Sequence, residues 1–516
     1  MCRSSRISAG AIGLLSGLLT LSGCTTVGPD FAKPDSKVNA GWSKQDNATL
    51  STKSAADSNW WKSLNDPALD KLIQVAYQQN LPLRIAGLRI LESRAQLGFA
   101  TGRQYPQIQV ASASATAVGL SKNAANNFDG AIDTGFGNYQ VGFDAAWEMD
   151  FWGKYRRGVE SETAALAGSV ADYDDALVSL TAEVARTYAV IRTFEVLIDL
   201  AHQNVERQTE GLRIAQARFD HGATSELDVT QATALLEGTR ASIPKLESGL
   251  QQGQNALSTL LGQPTGSIRA LLDGNKDIPT APAQVAVSMP AELLRRRPDI
   301  RSAELFAAAQ SARIGIAKAE LYPSFTLVGS IGLQTSSSGG AQSGGSLFES
   351  DSLFYSIGPR MNWSIFNYGR TKNLVRIQDA RFQQLIVNYQ NTVLKAAQEV
   401  EDGTTGFLNS QESAASEQKA VAAALRSVEI AFVQYREGAT DYERVLDAQR
   451  TLLLEQNTLA QTRSSIITNL IALYKALGGG WELRLGQPIV PQSMQTEMQG
   501  RTDWDAYFSP APAPTP

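Results

Sequence analysis

Two stretches of this chain carry an apolar seam that advances by alternating steps of four and three residues. The first runs Leu166, Val170, Tyr173, Leu177, Leu180, Val184 and onward to Ala215 and Phe219, with only Thr187 and Gln208 polar. The second runs Phe382, Ile386, Tyr389, Val393 and onward to Ala431 and Tyr435, interrupted only by Gly403, Ser410 and Glu417. A sustained 3.5-residue period predicts long helices packed as a left-handed coiled coil. A helix over about 160–219 would be about 90 Å long at 1.5 Å per residue, and flanking helical stretches at about 77–103 and 225–261 sum to about 96 Å. One long helix then packs beside two shorter ones stacked end to end.

A different period marks four other segments. In YQVGFDAAWEMDFWG, Tyr139, Val141, Phe143, Ala145 and Trp147 alternate with Gln140, Gly142, Asp144 and Glu148. Further along, Leu353, Tyr355, Ile357, Met361, Trp363 and Ile365 alternate with Ser356, Arg360, Asn362 and Ser364. Each is preceded by another strand-like run, PQIQVASASATAV from Pro106 and PSFTLVGSIGLQ from Pro323; in the latter Phe325, Leu327, Ile331 and Leu333 share a face. Glycine-, serine- and asparagine-rich loops join the members of each pair. Period-two strands of about ten residues with a terminal aromatic suit a membrane barrel, although one such strand also suits a soluble sheet.

Helical and strand segments recur in one register. Trp147 and Trp363, Gly153 and Gly369, Gly222 and Gly438, and Gly262 and Gly478 are all 216 residues apart, and Tyr105-Pro106 returns as Tyr322-Pro323 after 217. One offset held over this span predicts a tandem duplication. The phrases FDHGATSELDV and YREGATDYERV end the two long seams. Their glycines tolerate positive φ, so Gly222-Ala223-Thr224 and Gly438-Ala439-Thr440 read as the tips of two helical hairpins. The expected segments are 1–23 signal peptide, 24–76 N-terminal segment, 77–262 first repeat, 263–290 linker, 291–479 second repeat and 480–516 C-terminal segment, with the tail SPAPAPTP disordered.

Four strands per chain do not close a barrel around water, and open edges are not tolerated in lipid. Sister chains must therefore complete it: two would give a filled eight-stranded barrel, three a twelve-stranded one with room for a channel.

Composition narrows the chemistry. The net charge of −5 comes without a basic cluster interleaved with aromatics, which argues against a nucleic-acid partner. Cys2 and Cys24 are the only cysteines, and His202 and His221 the only histidines, so no thiolate metal site or nucleophile–base pair is evident. Arg295, Arg296 and Arg297 before Pro298 and Asp299 read as a helix start, LGGGW at 477–481 as a helix stop, and Trp60 and Trp61 as core or interfacial anchors. The opening MCRSSRISAGAIGLLSGLLTLSGC has a basic start and an apolar run too short for a confident membrane span. Its LSGC resembles a bacterial lipobox, which implies cleavage before Cys24 and acylation of that cysteine by diacylglycerol and an N-acyl chain, with no other cofactor. Two or more acyl chains anchor durably. Thr25, in place of aspartate, favours the outer membrane.

CTTVGPDFAKP (24–34), NWWKSLNDPALDKLI (59–73), LLRRRPDIRSAE (293–304) and LYKALGGGW (473–481) together resemble the outer-membrane factor family, the TolC/OprM-like channels, and especially its lipoprotein efflux branch. The resemblance covers nearly the whole mature chain. It implies an α+β subunit that gives four strands to a homotrimeric twelve-stranded barrel, a long α-helical barrel in the periplasm and an equatorial region. It also implies a passive efflux conduit that docks with a periplasmic adaptor and an inner-membrane pump, driven by protons or ATP, with the proton-driven RND type favoured. By position, Tyr435 and Asp447 match gate residues of the second repeat and Asp228 a partner from the first. Arg444 stands where some relatives have aspartate, which removes a second acidic ring. The tips Gly222, Ala223, Thr224, Gly438, Ala439 and Thr440 fall where the adaptor would dock. The rival reading is a lipid-anchored coiled-coil structural protein or adhesin, and a remote third is an enzyme.

Overall fold

In the computed structural model, residues 25–508 are described, apart from 36–38, 40, 45, 52–57, 122, 124–134, 275, 283, 288–295 and 338–345. Cys24, Arg295 and the C-terminal SPAPAPTP lie outside the described residues. The chain divides into two compact units that cut across the repeats. One unit draws on residues up to 34, 92–167 and 304–387, the other on 35–91, 168–303 and 388 onward. All four later break points fall within helices.

The first unit holds an antiparallel sheet of β2 (Ile108–Gly119), β3 (Gly135–Met149), β5 (Ser324–Ser336) and β6 (Leu353–Asn362), in the order β2-β3-β5-β6. The central pair, β3 and β5, joins the two repeats, and β2 and β6 are left as edges. β3 starts four residues before the first residue of the predicted alternation, because Phe136 and Asn138 pair with Val118 and Thr116. Registers such as Val141↔Leu333, Phe143↔Ile331 and Ile331↔Tyr355 put the apolar residues of β3, β5 and β6 on one face. That face is turned to the surroundings: Tyr139, Val141, Phe143, Trp147, Ile331, Tyr355, Ile357 and Met361 are all exposed. The register places Asn138, Gln140, Asp144, Ser330, Gln334, Ser356 and Arg360 on the opposite face. The repeats also share a detail of geometry, since Trp147 Nε1 donates to Gln104 O at 3.2 Å and Trp363 Nε1 to Leu321 O at 3.1 Å.

The long helices are α3 (Lys154–Asp220) and α7 (Arg370–Arg436), each 67 residues and therefore about 100 Å long. α3 begins about six residues before the seam reading placed it. The backbone N–H groups of Tyr155 and Arg156 are capped by Asp150, at 3.2 and 2.9 Å, and this polar start carries no seam residue. Their shorter partners are α4 (Glu226–Leu260) and α8 (Tyr442–Ala476), 35 residues each. The single stretch expected at 77–103 is instead two helices, α1 (Pro67–Gln79) and α2 (Leu81–Gly102). Buried Asn80 breaks it: its Oδ1 accepts from Leu83 N–H at 2.8 Å, and its Nδ2 donates to Leu260 O at 2.8 Å. Pro82, in the first turn of α2, loses no needed N–H there.

The core of the second unit lies where α3 is buried nearly all round, near Thr181–Thr193. Trp60 and Trp61 are buried there, Trp60 stacked on Tyr474 at 5.2 Å. Within the span read as a linker, α5 (Arg269–Leu272) precedes Val285–Ala286 (β4), which pairs in parallel with Leu50–Ser51 (β1) and is followed by α6 (Pro298–Ala319). Arg297, ahead of Pro298, donates to Asp299, to Glu399 at 2.7 Å and to Ala476 O at 2.9 Å. Buried Asp174 is clasped by Arg484 and by Arg301 at 3.1 Å, joining the C-terminal segment to α3. No described helix is long and apolar enough to cross a membrane.

Candidate functional site: the helical tips

The two hairpins reverse through the same backbone device. Gly222 has φ +72°, its N–H bonds to Phe219 O at 2.8 Å, and the N–H of Ala223 reaches Arg218 O at 2.8 Å. Gly438 has φ +78°, with Gly438 N–H to Tyr435 O at 3.0 Å and Ala439 N–H to Gln434 O at 2.8 Å. These paired bonds satisfy the last carbonyls of each long helix in a Schellman turn, which needs the left-handed conformation at its glycine. Nothing lies within 4 Å of a Cβ built on Gly222, so backbone conformation rather than space selects glycine there. Gly222, Ala223, Gly438 and Ala439 are exposed, while Thr224 and Thr440 are half-buried.

Behind the turns lies an apolar cluster of Ala215, Ala232, Ala431, Tyr435, Tyr442, Val445 and Leu446. The seam aromatics part company here: Phe219 remains 39% exposed while Tyr435 is 1% exposed. Tyr435 packs edge-on against Tyr442, ring centres 5.2 Å apart. Its phenol donates to Asp228 Oδ2 at 3.0 Å, and the Thr224 hydroxyl donates to the same oxygen. The Arg218 guanidinium lies 4.7 Å from the Tyr435 ring centre and donates to the Tyr435 carbonyl. Burial and the neighbouring Asp228 carboxylate push the Tyr435 phenol up to about 12, so it stays a neutral donor across the physiological range.

This network ties α3, α4 and α7 together with elements of both repeats. It unites two of the residues singled out by position, Asp228 and Tyr435. It does not include the other two. Arg444 and Asp447 are exposed on α8, and neither side chain bonds to another described residue. Sequence reasoning missed Arg218 and Tyr442. The available signal was the difference between copies: 216 residues on from Arg218 stands Gln434, and 216 back from Tyr442 stands Glu226.

A sheet that turns aromatic and aliphatic residues outward, with polar residues behind and both edges open, belongs in lipid as part of a shared barrel. The fold thus defines a membrane channel subunit. The chain belongs to the outer membrane efflux protein family, whose model matches residues 72–263 and 289–479. It is 30% identical over 470 residues to the probable outer membrane lipoprotein SilC of Salmonella typhimurium, covering 90% of this chain and 98% of that one. It is 31% identical to the solvent efflux pump outer membrane protein SrpC of Pseudomonas putida, covering 90% and 97%. Among solved structures, the outer-membrane channel OprN aligns with a TM-score of 0.81 at 31% identity, over 88% of this chain and 99% of that one. The chain is an outer-membrane channel component of a tripartite efflux system.

Proposed function

We propose that three copies of this chain form the conduit, each giving β2, β3, β5 and β6 to one twelve-stranded barrel, and that the conduit is opened at the helical tips. The carrying observation is the sheet itself, whose exposed apolar face and two unpaired edge strands are compatible with lipid only when neighbouring chains close the ring. Solutes pass without covalent change. The Tyr435–Asp228–Arg218 network holds the hairpins of one subunit together in the closed state, and its loss frees the tips to move apart. Threefold symmetry brings copies of Asp447 near the axis, where carboxylates favour cations. Arg444, also exposed and three residues earlier on the same helix, is placed to contact a neighbouring subunit. The exposed Gly-Ala-Thr tips are the docking points for a periplasmic adaptor, which couples the channel to a proton-driven RND-type pump.

Cys24 carries the lipid anchor in this reading. Support comes from the segment after it: Val27 N–H bonds to Trp152 O at 3.0 Å, and Arg157 grips Val27 O and Asp30 at the strand–helix junction. That junction is aromatic, with Trp152 stacked on Tyr322 at 4.6 Å, as befits a membrane interface. The test is reconstitution into planar bilayers with the oligomer fixed by cross-linking. Cross-linked trimers should conduct, and replacing Tyr435 and Asp447 with small neutral residues should raise resting conductance. Properly folded oligomers without conductance would overturn the channel reading, and an unchanged resting conductance would remove these two residues from the gate.

A further inference from the structure

The polar face of the sheet contains a large ring laid flat. Phe354, the second residue of β6, stands opposite Gly332 of β5, which stands opposite Gly142 of β3. A Cβ on Gly332 would come within 2.9 Å of Phe354 Cε1, and one on Gly142 within 3.6 Å of its Cζ. The ring therefore reaches across two strands, taking the space of a side chain at Gly332 and lying in contact with the position of one at Gly142. An aromatic covering glycines in this way restores packing that glycine lacks. Its position matters more than its stability. The register places it on the face of Gln140, Asp144, Ser330 and Ser356, opposite the outward apolar face. It lies at the loop end of the strands, away from the helices that follow Met149 and Asn362. Only the second repeat carries it, since Asn138 stands 216 residues before.

We propose that Gly142 and Gly332 form a bed that keeps the Phe354 ring flat and so keeps the channel's outer mouth clear. Lying flat, the ring leaves the lumen clear. Lifted off the sheet, one ring from each subunit projects into the pore and hinders bulky solutes. This rests on the channel reading above, with the Phe354 face as the lumen. Gly142 is the milder site to perturb: a Cβ there lies 3.6 Å from Phe354 Cζ, an ordinary contact, and 3.2 Å from the Ile331 carbonyl oxygen, a tight one that the double variant controls for, and the branches of valine fall in the space of the ring. Gly332 is unsuitable, since its Cβ would lie 2.5 Å from the Val141 carbonyl oxygen.

The experiment compares single-channel conductance of folded, cross-linked oligomers of wild type, Gly142→Val, Phe354→Ala and Gly142→Val/Phe354→Ala. The expected result is a loss of conductance in Gly142→Val, none in Phe354→Ala, and recovery to at least the wild-type value in the double variant. A conducting wild type with Gly142→Val unchanged, or a double variant as impaired as Gly142→Val, overturns the inference alone. A silent wild type overturns the channel reading together with it. Phe354→Cys gives a check that leaves both glycines intact, since in this reading Cys2 leaves with the signal peptide and the Cys24 sulfur is acylated, so the new thiol is the one free to react. A bulky water-soluble thiol reagent should reduce its conductance, and failure to react would show that position 354 does not face the pore.

Discussion

Replacing Tyr435 with phenylalanine isolates one bond of the tip network. The ring stays, so its packing against Tyr442 and the Arg218 guanidinium over its face are retained. What is lost is the phenol's 3.0 Å bond to Asp228. A hydrogen bond to a charged group contributes about 1.5–3 kcal/mol, and the half-buried setting of Asp228 argues for the lower end. Asp228 keeps Thr224 as a donor, so no bare carboxylate is left behind. About 1.5 kcal/mol corresponds to roughly a tenfold shift toward the open tip for one subunit. If three tips move together, the contributions sum to about 4–5 kcal/mol, or about a thousandfold in the closed-to-open ratio. The assay is resting open probability in planar bilayers, backed by uptake of a large antibiotic that the outer membrane normally excludes. Asp228→Asn, which retains an acceptor without charge, should fall between wild type and Tyr435→Phe. Folded Tyr435→Phe oligomers with wild-type open probability would refute the argument that this bond holds the tip shut.

Other expectations follow from the same geometry. Gly222→Ala should cost about 1 kcal/mol through its positive φ alone, seen as faster amide exchange at the first tip with the global melting temperature nearly unchanged. Asp174→Asn leaves buried Arg484 without its carboxylate and should destabilise by about 3–5 kcal/mol, measured as a lower urea midpoint or a loss of assembled protein. Asp175 is raised to about 6 by burial and by Asp299 and Asp172, against the pull of Arg297 and Lys475. Its folded form holds the proton more tightly than the unfolded chain, so stability falls as pH rises from about 4 through 6. Asp175→Asn should therefore stabilise above pH 6, by on the order of 3 kcal/mol, and do little near pH 4; equal effects at both would refute this origin.

Much of the fold was legible because periodicity and duplication reinforce each other. The seams gave the two long helices, the alternation gave the strands of the sheet, and the constant offset placed both turns. Gly222 and Gly438 were readable because a Schellman turn has a local signature. What was not legible depends on contacts between distant segments. Asp174 and Arg484 are 310 residues apart, and Arg218 meets Tyr435 across 217. Asn80 breaks the expected 77–103 helix through a bond to Leu260, 180 residues away. Arg444 and Asp447 were singled out by position, yet one subunit supplies them no partner among the described residues.

The unpaired edges of β2 and β6 have a consequence for inheritance. A barrel shared between chains makes the phenotype of a mutation depend on its neighbours. A variant that still pairs its edge strands but holds its tips wrongly will enter barrels alongside normal copies and spoil them, whereas one whose edges no longer pair is left out and harms only itself. Substitutions at the tips should therefore be dominant over a wild-type copy in the same cell, and those that break the sheet edges recessive.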